Sequence, residues 1–239
     1  MLGVFLQDDR FETVAAAVEE GRLIYDNIRK FVFYLFSCNV AEVLVLLFAG
    51  LAGMPMPLLP LQILWLNMVT DTFPALSLAM EPADRDVMSR PPRDPQEALL
   101  SRPFLASVLG YGLLITVSTL AAFAWALHGV PDRAITVAFM TLAVAQILHL
   151  GNARSSEPVV RGPRAGANHY ALAAVALSVA LQLMAVWIEP LARVLRVASP
   201  RAVDWLIIVG LGAVPAVVGQ VVKLRARKRR GQAPLPPGP

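Results

Sequence analysis

Two acidic side chains lie inside long apolar stretches of this sequence, each close to amide or hydroxyl residues. Asn39 and Glu42 are three residues apart, and Asn67, Thr70 and Asp71 follow one another at offsets of three and one. On an α-helix, residues three or four apart share a face, which groups each set around its carboxylate. Carboxylate, amide and hydroxyl oxygens are the ligands that hard cations prefer. The spacing therefore predicts a cation site, provided that the two helical faces meet.

The competing interpretation is that these polar groups only hydrogen-bond between helices, as amides and hydroxyls often do in membranes. Ionisable residues at membrane depth are costly and usually functional, so Glu42 and Asp71 together favour the cation site. Asn39 or Thr70 alone leaves the two interpretations balanced. Pro74 also favours the cation site, because a proline within a helix leaves the carbonyl four residues earlier, that of Thr70, without its helical donor. That carbonyl needs a partner from protein, water or an ion.

Three further polar residues in apolar runs are weaker candidates. Gln146 is as consistent with a neutral cation ligand as with an interhelical hydrogen bond. His149 is predicted to lie at the membrane interface. Cys38 points about 100° away from Asn39 on a helix, so the packing of a small side chain is the favoured interpretation. As the only cysteine, it excludes an internal disulfide and argues against a Cys-ligated metal site.

The elements that carry these residues are predicted to be membrane spans. Of the 239 residues, 56% are hydrophobic and 16% are charged, and the mean hydropathy is +0.59, which is too apolar for an ordinary soluble domain. A run of about 18 or more apolar residues can cross a bilayer core. Six spans are predicted, at 31–52, 58–80, 104–127, 134–151, 169–189 and 203–222.

The distribution of basic residues predicts the orientation of the chain. One side of the membrane receives 17 of the 21 Lys and Arg residues, including those of both termini and of the linkers 81–103 and 152–168. The other side receives only Arg133, Arg193, Arg196 and Arg201. By the positive-inside rule the first side is cytoplasmic, and an even number of spans also places both termini together. This distribution indicates contact with membrane lipid and no nucleic-acid partner.

The predicted organisation has three parts. An amphipathic cytoplasmic helix occupies 1–30, a six-span membrane domain follows over 31–222, and a basic, Pro/Gly-rich cytoplasmic tail forms 223–239. The basic cluster of the tail suits either an anionic lipid surface or a stop-transfer flank. The fold class is therefore all-α, a polytopic membrane protein built as a six-helix transmembrane bundle.

Four segments carry a resemblance to a known family: AAAVEEGRLIYDNIRKF, NVAEV, LQILWLNMVTDTFPALSLAMEPAD and DVMSRPPR. They resemble type-II P-type cation-transporting ATPases, above all the sarco-endoplasmic-reticulum-type calcium pumps and their bacterial relatives. The resemblance is dense over about 8–105 and weaker but colinear beyond. It implies that the six spans are the last six of a ten-helix membrane domain, and that the first helix comes from the phosphorylation domain.

The resemblance also implies a ligand set, because NVxEV and NxxTD supply cation ligands in that family. The expected ligands are Asn39, Glu42, Asn67, Thr70 and Asp71. Gln146 stands where the calcium pumps carry a ligand glutamate, so one carboxylate is absent and the two-calcium stoichiometry is not assured. The expected cargo is Ca²⁺ or a related divalent cation, although sodium, potassium and proton pumps share parts of the pattern.

The family's ATP-hydrolysing motifs do not occur in this sequence, which contains no DKTGT, TGE, TGDGVND or GxxxxGK[ST] segment. ATP and Mg²⁺ are therefore expected to bind only in domains outside it. The chain is predicted to be a fragment that works with an amino-terminal half of the pump, from the same gene or a separate chain, in a bacterial plasma membrane. Whether it counts as an enzyme stays open. The alternatives are a stand-alone six-span channel or carrier, and a non-transporting truncated fragment.

Overall fold

A computed structural model describes residues 11–83, 87–91, 99–155 and 168–231, and every regular element within these ranges is helical. The α-helices are α1 (Phe11–Leu51), α2 (Pro60–Leu66), α3 (Phe73–Ala79), α4 (Arg102–Gly129), α5 (Ala134–Ala153), α6 (His169–Trp187), α7 (Glu189–Leu195) and α8 (Ala202–Gly231). A π-helical turn, Asn67–Thr72, connects α2 to α3, and a 3₁₀ turn, Pro131–Arg133, precedes α5. Parts of both predicted linkers and the end of the predicted tail lie outside the described residues.

The first helix is continuous from the predicted cytoplasmic segment into the predicted first span. Its 41 residues contain no proline, so nothing in the sequence interrupts the backbone hydrogen bonds. At 1.5 Å per residue the helix is about 60 Å long. It ends before Gly53, which has a φ of +66°, and Met54 N–H donates to the Ala49 carbonyl at 2.9 Å. A left-handed residue of this kind ends a helix tightly, and glycine adopts it without steric cost.

Five helices are long and apolar enough to cross a membrane. They are Thr13–Leu51, Arg102–Gly129, Pro131–Ala153, His169–Trp187 and Ala202–Ala226. These correspond to five of the six predicted spans. The sixth, predicted at 58–80, is helical over 60–79, but as three consecutive segments that are each shorter than a span. The all-α membrane bundle is therefore confirmed, while the count of six spans stays a prediction.

The polar and apolar residues are arranged as a membrane environment requires. α5 is the central helix, buried along most of its length against α4 and α8. On the outside, Leu51, Leu64, Trp187 and Leu206 are each more than 60% exposed. An apolar exterior of this kind, around helices that satisfy their own backbone groups, is suited to lipid.

Two glycines bring the site-bearing helices close to their neighbours. A Cβ atom on Gly112 of α4 would lie 2.7 Å from Val40 Cγ1 of α1, and one on Gly212 of α8 would lie 2.7 Å from Val144 Cγ1 of α5. Small residues permit such close helix packing in membranes. These contacts fix α1 and α5, which carry three of the predicted ligands.

Candidate cation-binding site

A chain of hydrogen bonds joins three elements in the interior of the bundle. The amide nitrogen of Gln146, on α5, donates to Glu42 Oε1, on α1, at 2.9 Å. The hydroxyl of Thr70, in the π-helical turn, lies 2.7 Å from Gln146 Oε1 and 2.9 Å from the Leu66 carbonyl oxygen. All three side chains are buried. Glu42 is therefore held against α5 and the π turn.

Asp71 forms the second half of this polar cluster. Asn39 Nδ2 donates to Asp71 Oδ2 at 3.0 Å and to the Leu35 carbonyl at 2.9 Å. Asp71 is buried, whereas Asn39 is exposed at the edge of the bundle. Asp71 follows Thr70 in the chain, and Thr70 is linked through Gln146 to Glu42, so both carboxyl groups belong to the same polar network. The structure thus brings the two acidic residues into one cluster.

Two buried acceptor oxygens in the π-helical turn are left without donors. Asn67 Oδ1 and Asp71 Oδ1 are buried, and neither has a hydrogen-bond partner in the part of the chain that the structure describes. Within that same part, neither Glu42 nor Asp71 forms an ion pair with a Lys or Arg side chain. Buried acceptors and buried negative charge without partners are costly. A bound cation would supply what these oxygens lack.

The ligand types present limit which cation fits. The described residues contain no group of three or more His, Cys, Asp and Glu side chains that could hold a metal ion. A cation at this cluster would depend on two carboxylates together with the amide and hydroxyl oxygens of Asn39, Asn67, Thr70 and Gln146. An all-oxygen environment is the one that hard cations such as Ca²⁺ prefer, and it does not resemble a zinc site.

The backbone around Asp71 is not the α-helix on which the predicted shared face of Asn67, Thr70 and Asp71 was based. Asn67–Thr72 is a π-helix, in which each hydrogen bond spans one residue more, and Thr72 Oγ1 lies 3.2 Å from the Asn67 carbonyl. Pro74 follows and cannot donate to the Thr70 carbonyl. The Tyr34 hydroxyl donates to that carbonyl at 2.5 Å. The carbonyl that Pro74 frees is therefore satisfied by protein.

Sequence analysis missed Tyr34. The Tyr34 hydroxyl also lies 3.2 Å from the Gln146 carbonyl, so it bridges the π turn and α5. Cys38 is fully buried in an apolar cluster with Tyr34, which agrees with the predicted packing of a small side chain. Tyr34, Cys38 and Glu42 recur at intervals of four, which places them on one helical face. This spacing could have indicated from the sequence that Tyr34 lies on the same helical face as Glu42.

His149, predicted to lie at the membrane interface, is buried inside the bundle near the end of α5. Its ring is fully buried among Phe33, Tyr34 and Tyr111, with ring centroids 5.5, 5.9 and 4.7 Å away. Neither ring nitrogen has a hydrogen-bond partner among the described residues. His149 therefore packs as an aromatic group next to Tyr34, one turn from Gln146.

A second buried polar group, which we call the Glu81 cluster, consists of Glu81, Arg154 and Asn168. Arg154 Nε lies 3.1 Å from Glu81 Oε2, and Asn168 Nδ2 donates to the same oxygen at 2.6 Å. All three residues are at least nine-tenths buried. This cluster ties the ends of α3 and α5 to the start of α6, and its negative charge has a positive partner.

Two buried carboxylates inside a helical membrane bundle are typical of membrane domains that move cations. Residues 55–225 match the family described as "Cation transporting ATPase, C-terminus". The chain belongs to this family, and the predicted resemblance to P-type cation ATPases is confirmed.

Two relatives extend the comparison. The chain is 42% identical over 214 residues to the calcium-transporting ATPase of Bacillus subtilis (strain 168), an alignment that covers 88% of this chain and 24% of the relative. It is 36% identical over 244 residues to calcium-transporting ATPase 1 of Bacillus cereus (strain ATCC 10987 / NRS 248), with 92% and 27% covered. The chain spans about a quarter of the length of the curated relatives that it matches.

Proposed function

We propose that this chain is the membrane part of an ATP-driven pump that transports Ca²⁺ across a bacterial plasma membrane. The observation that carries the proposal is the burial of Glu42 and Asp71 in one cluster that contains no basic partner among the described residues. Ca²⁺ is the favoured cargo because the cluster offers only oxygen ligands and because both relatives are named calcium-transporting ATPases.

The proposed ligands are Asn39, Glu42, Thr70, Asp71 and Gln146 of the cluster, together with Asn67 at the start of the same π-helical turn. Ca²⁺ takes six to eight oxygen ligands, often including backbone carbonyls. Several oxygens of this cluster already have protein partners, because Thr70 and Gln146 bond to each other and Asn39 donates to Asp71. Full coordination would therefore use further ligands from outside this group.

The exposed edge of the cluster is where such ligands would approach. Asn39 and Thr72 are exposed there, although they lie in apolar segments. Exposed polar groups at membrane depth favour a neighbouring helix over lipid. The relatives extend far beyond the matched region. We therefore propose that helices of the amino-terminal half of the pump pack on this edge and complete the coordination.

The continuous helix α1 supplies a mechanism for coupling. Its amino-terminal half lies outside the predicted membrane region, and its carboxy-terminal half carries Asn39 and Glu42. Phosphorylation in a domain that binds ATP and Mg²⁺ would tilt this helix as one body and move Glu42 relative to Asp71. In this proposal 60–79 forms a sixth span, both termini are cytoplasmic, and the cation site opens to one side of the membrane at a time.

The proposal is tested by calcium uptake into inverted membrane vesicles that contain the complete protein carrying this chain. We expect ⁴⁵Ca²⁺ to accumulate only when ATP and Mg²⁺ are present outside, and to be released by a calcium ionophore. Vesicles from cells without the protein control for other transporters. Uptake that follows the calcium gradient without ATP would favour a channel or carrier, and the absence of any flux would favour a non-transporting fragment.

A further inference from the structure

We propose that the carboxy-terminal end of α8 binds the phosphate headgroup of an anionic phospholipid, with Arg225 at the headgroup and the valines before it against the acyl chains. This surface lies on the outside of the bundle, and its lipid binding does not depend on which cation is transported. The sequence left two roles open for the basic residues of the tail, a lipid contact or a stop-transfer flank. The position of Arg225 favours the first.

The length of α8 brings its last turns out of the bilayer core. Residues 205–222 contain no charged side chain, and a predominantly apolar stretch of about 18 residues or more can cross the core. The chain then continues as a helix to Gly231. At roughly 1.5 Å per residue, residues 224–231 extend about 12 Å beyond Lys223. The polar layer on each side of the core is about 5–8 Å thick, so Arg225 lies at the level of the headgroups.

Lys223 fixes the depth and the rotation of this end of α8. Its ammonium group donates to the carbonyl oxygens of Asn152 at 2.7 Å and Ser155 at 2.5 Å, where α5 ends. A positive charge is favourable at the carboxy-terminal end of a helix because the last carbonyls have no helical partner. Gln220 Nε2, one turn earlier, donates to Asn152 Oδ1 at 2.7 Å. Lys223 is therefore turned toward the protein, and the opposite face of α8 is turned outward.

The outward face of α8 carries valines and then an arginine. Four valines are between 39% and 58% exposed, namely Val217, Val218, Val221 and Val222. Arg225 follows Val221 by four residues and Val222 by three, so it continues the same helical face, and it is exposed. A phospholipid whose acyl chains lie along these valines therefore has its phosphate group beside the Arg225 guanidinium.

The charge around Arg225 is suited to an anionic partner. Five of the six residues 225–230 are Arg or Lys, and no acidic residue follows Asp204. Anionic lipid surfaces attract basic clusters next to a membrane span, and a guanidinium group can donate two parallel hydrogen bonds to a phosphate. An anionic phospholipid is thus favoured over a zwitterionic one. A stop-transfer flank needs the charge alone and does not require Arg225 to follow the exposed valines on one face.

The test is the lipid that stays bound to the complete protein carrying this chain. The protein is reconstituted in equimolar dioleoylphosphatidylglycerol and dioleoylphosphatidylcholine, and the retained lipids are counted by native mass spectrometry. We expect the wild type to retain phosphatidylglycerol in about fivefold excess or more, which is the factor that one basic residue contributes near an anionic surface. Arg225→Gln should lower this excess by about the same factor.

Lys223→Gln is the matched control, because it removes the same charge two positions away from a side chain that faces the protein. It should change the phosphatidylglycerol excess by less than about twofold, since its ammonium group is not at the lipid surface. Equal losses in the two variants would overturn the proposal, because charge alone would then explain the binding. An unchanged excess in Arg225→Gln would overturn it as well.

The wild-type measurement is decisive even if a variant does not fold. Equal retention of the two lipids by the wild type would overturn the proposal. Displacement of phosphatidylglycerol by an excess of inorganic phosphate would also overturn it, because the site would then bind phosphate without the acyl chains. None of these results depends on calcium uptake, so failure of this proposal and failure of the proposed function are distinguishable.

Discussion

Two buried carboxylate clusters in this chain differ in how their charge is balanced. Glu81 lies against Arg154 and accepts from Asn168, so its charge is neutralised and its oxygens are hydrogen-bonded. Glu42 and Asp71 accept hydrogen bonds from the amides of Gln146 and Asn39, and neither has a basic partner among the described residues. Both clusters are similarly buried. Burial alone therefore does not distinguish a structural carboxylate from a functional one.

The difference in charge balance indicates the role of each cluster. A buried ion pair with further hydrogen bonds holds helices together. Removing one of its two partners leaves the other charge buried and uncompensated. A pair of carboxylates without a counter-ion is costly for folding and persists where a mobile cation supplies the missing charge. The Glu81 cluster is accordingly the fixed contact between α3, α5 and α6, and we propose that the Glu42–Asp71 cluster is the transport site.

The largest expected effect follows from Asp71→Asn. The change keeps the side-chain shape and an oxygen that can accept from Asn39, but removes the charge and one ligand oxygen. We expect calcium-dependent phosphorylation and ATP hydrolysis by the complete protein to be abolished, with calcium affinity lowered by about 100-fold or more. Calcium dependence that stays normal in this variant would remove Asp71 from the site.

A large effect of a different kind is expected from Arg154→Met. This variant leaves Glu81 buried without its positive partner and should cost about 3–5 kcal/mol of folding free energy. The measurement is the fraction of monodisperse protein that survives heating in detergent. Adding Glu81→Gln should restore most of the stability. If the single variant resists heating as well as the wild type, the Glu81 cluster is not the structural contact described here.

A small effect is expected from Tyr34→Phe, which removes the hydroxyl that donates to the Thr70 carbonyl. Loss of one hydrogen bond costs about 1 kcal/mol, or roughly a fivefold change in an equilibrium constant. We expect the calcium concentration for half-maximal ATP hydrolysis to rise by about that factor. Tyr170→Phe, at an exposed position on α6, is the matched control and should have no effect.

The sequence predicted the helical membrane class and the pairing of the two acidic helical segments because both depend on local patterns. Long apolar runs indicate spans, and polar residues at helical spacing indicate a shared face. The span over 58–80 stays a prediction, and its helix contains a π-helical turn that the α-helical spacing of Asn67, Thr70 and Asp71 did not indicate. The π-helical turn at Asn67–Thr72 depends on tertiary contacts such as that of Tyr34 with Thr70.

The remaining differences arise from contacts between residues far apart in the chain. Glu81 and Arg154 were both placed in polar linkers, and their pairing across 73 positions has no local signature. His149 was assigned to the interface from its position near a span end, but three aromatic rings from α1 and α4 enclose it. The direction of the Gln146 amide could not be predicted either, since it depends on which atoms of Glu42 and Thr70 face it.

The most direct test of the central claim compares two double variants by equilibrium binding of ⁴⁵Ca²⁺ to the complete purified protein. Glu42→Gln with Asp71→Asn removes the charge of the proposed transport site, and Glu81→Gln with Arg154→Met neutralises the Glu81 cluster. We predict that the first protein loses saturable calcium binding and that the second binds calcium as the wild type does. Unchanged binding by the first protein would contradict the account.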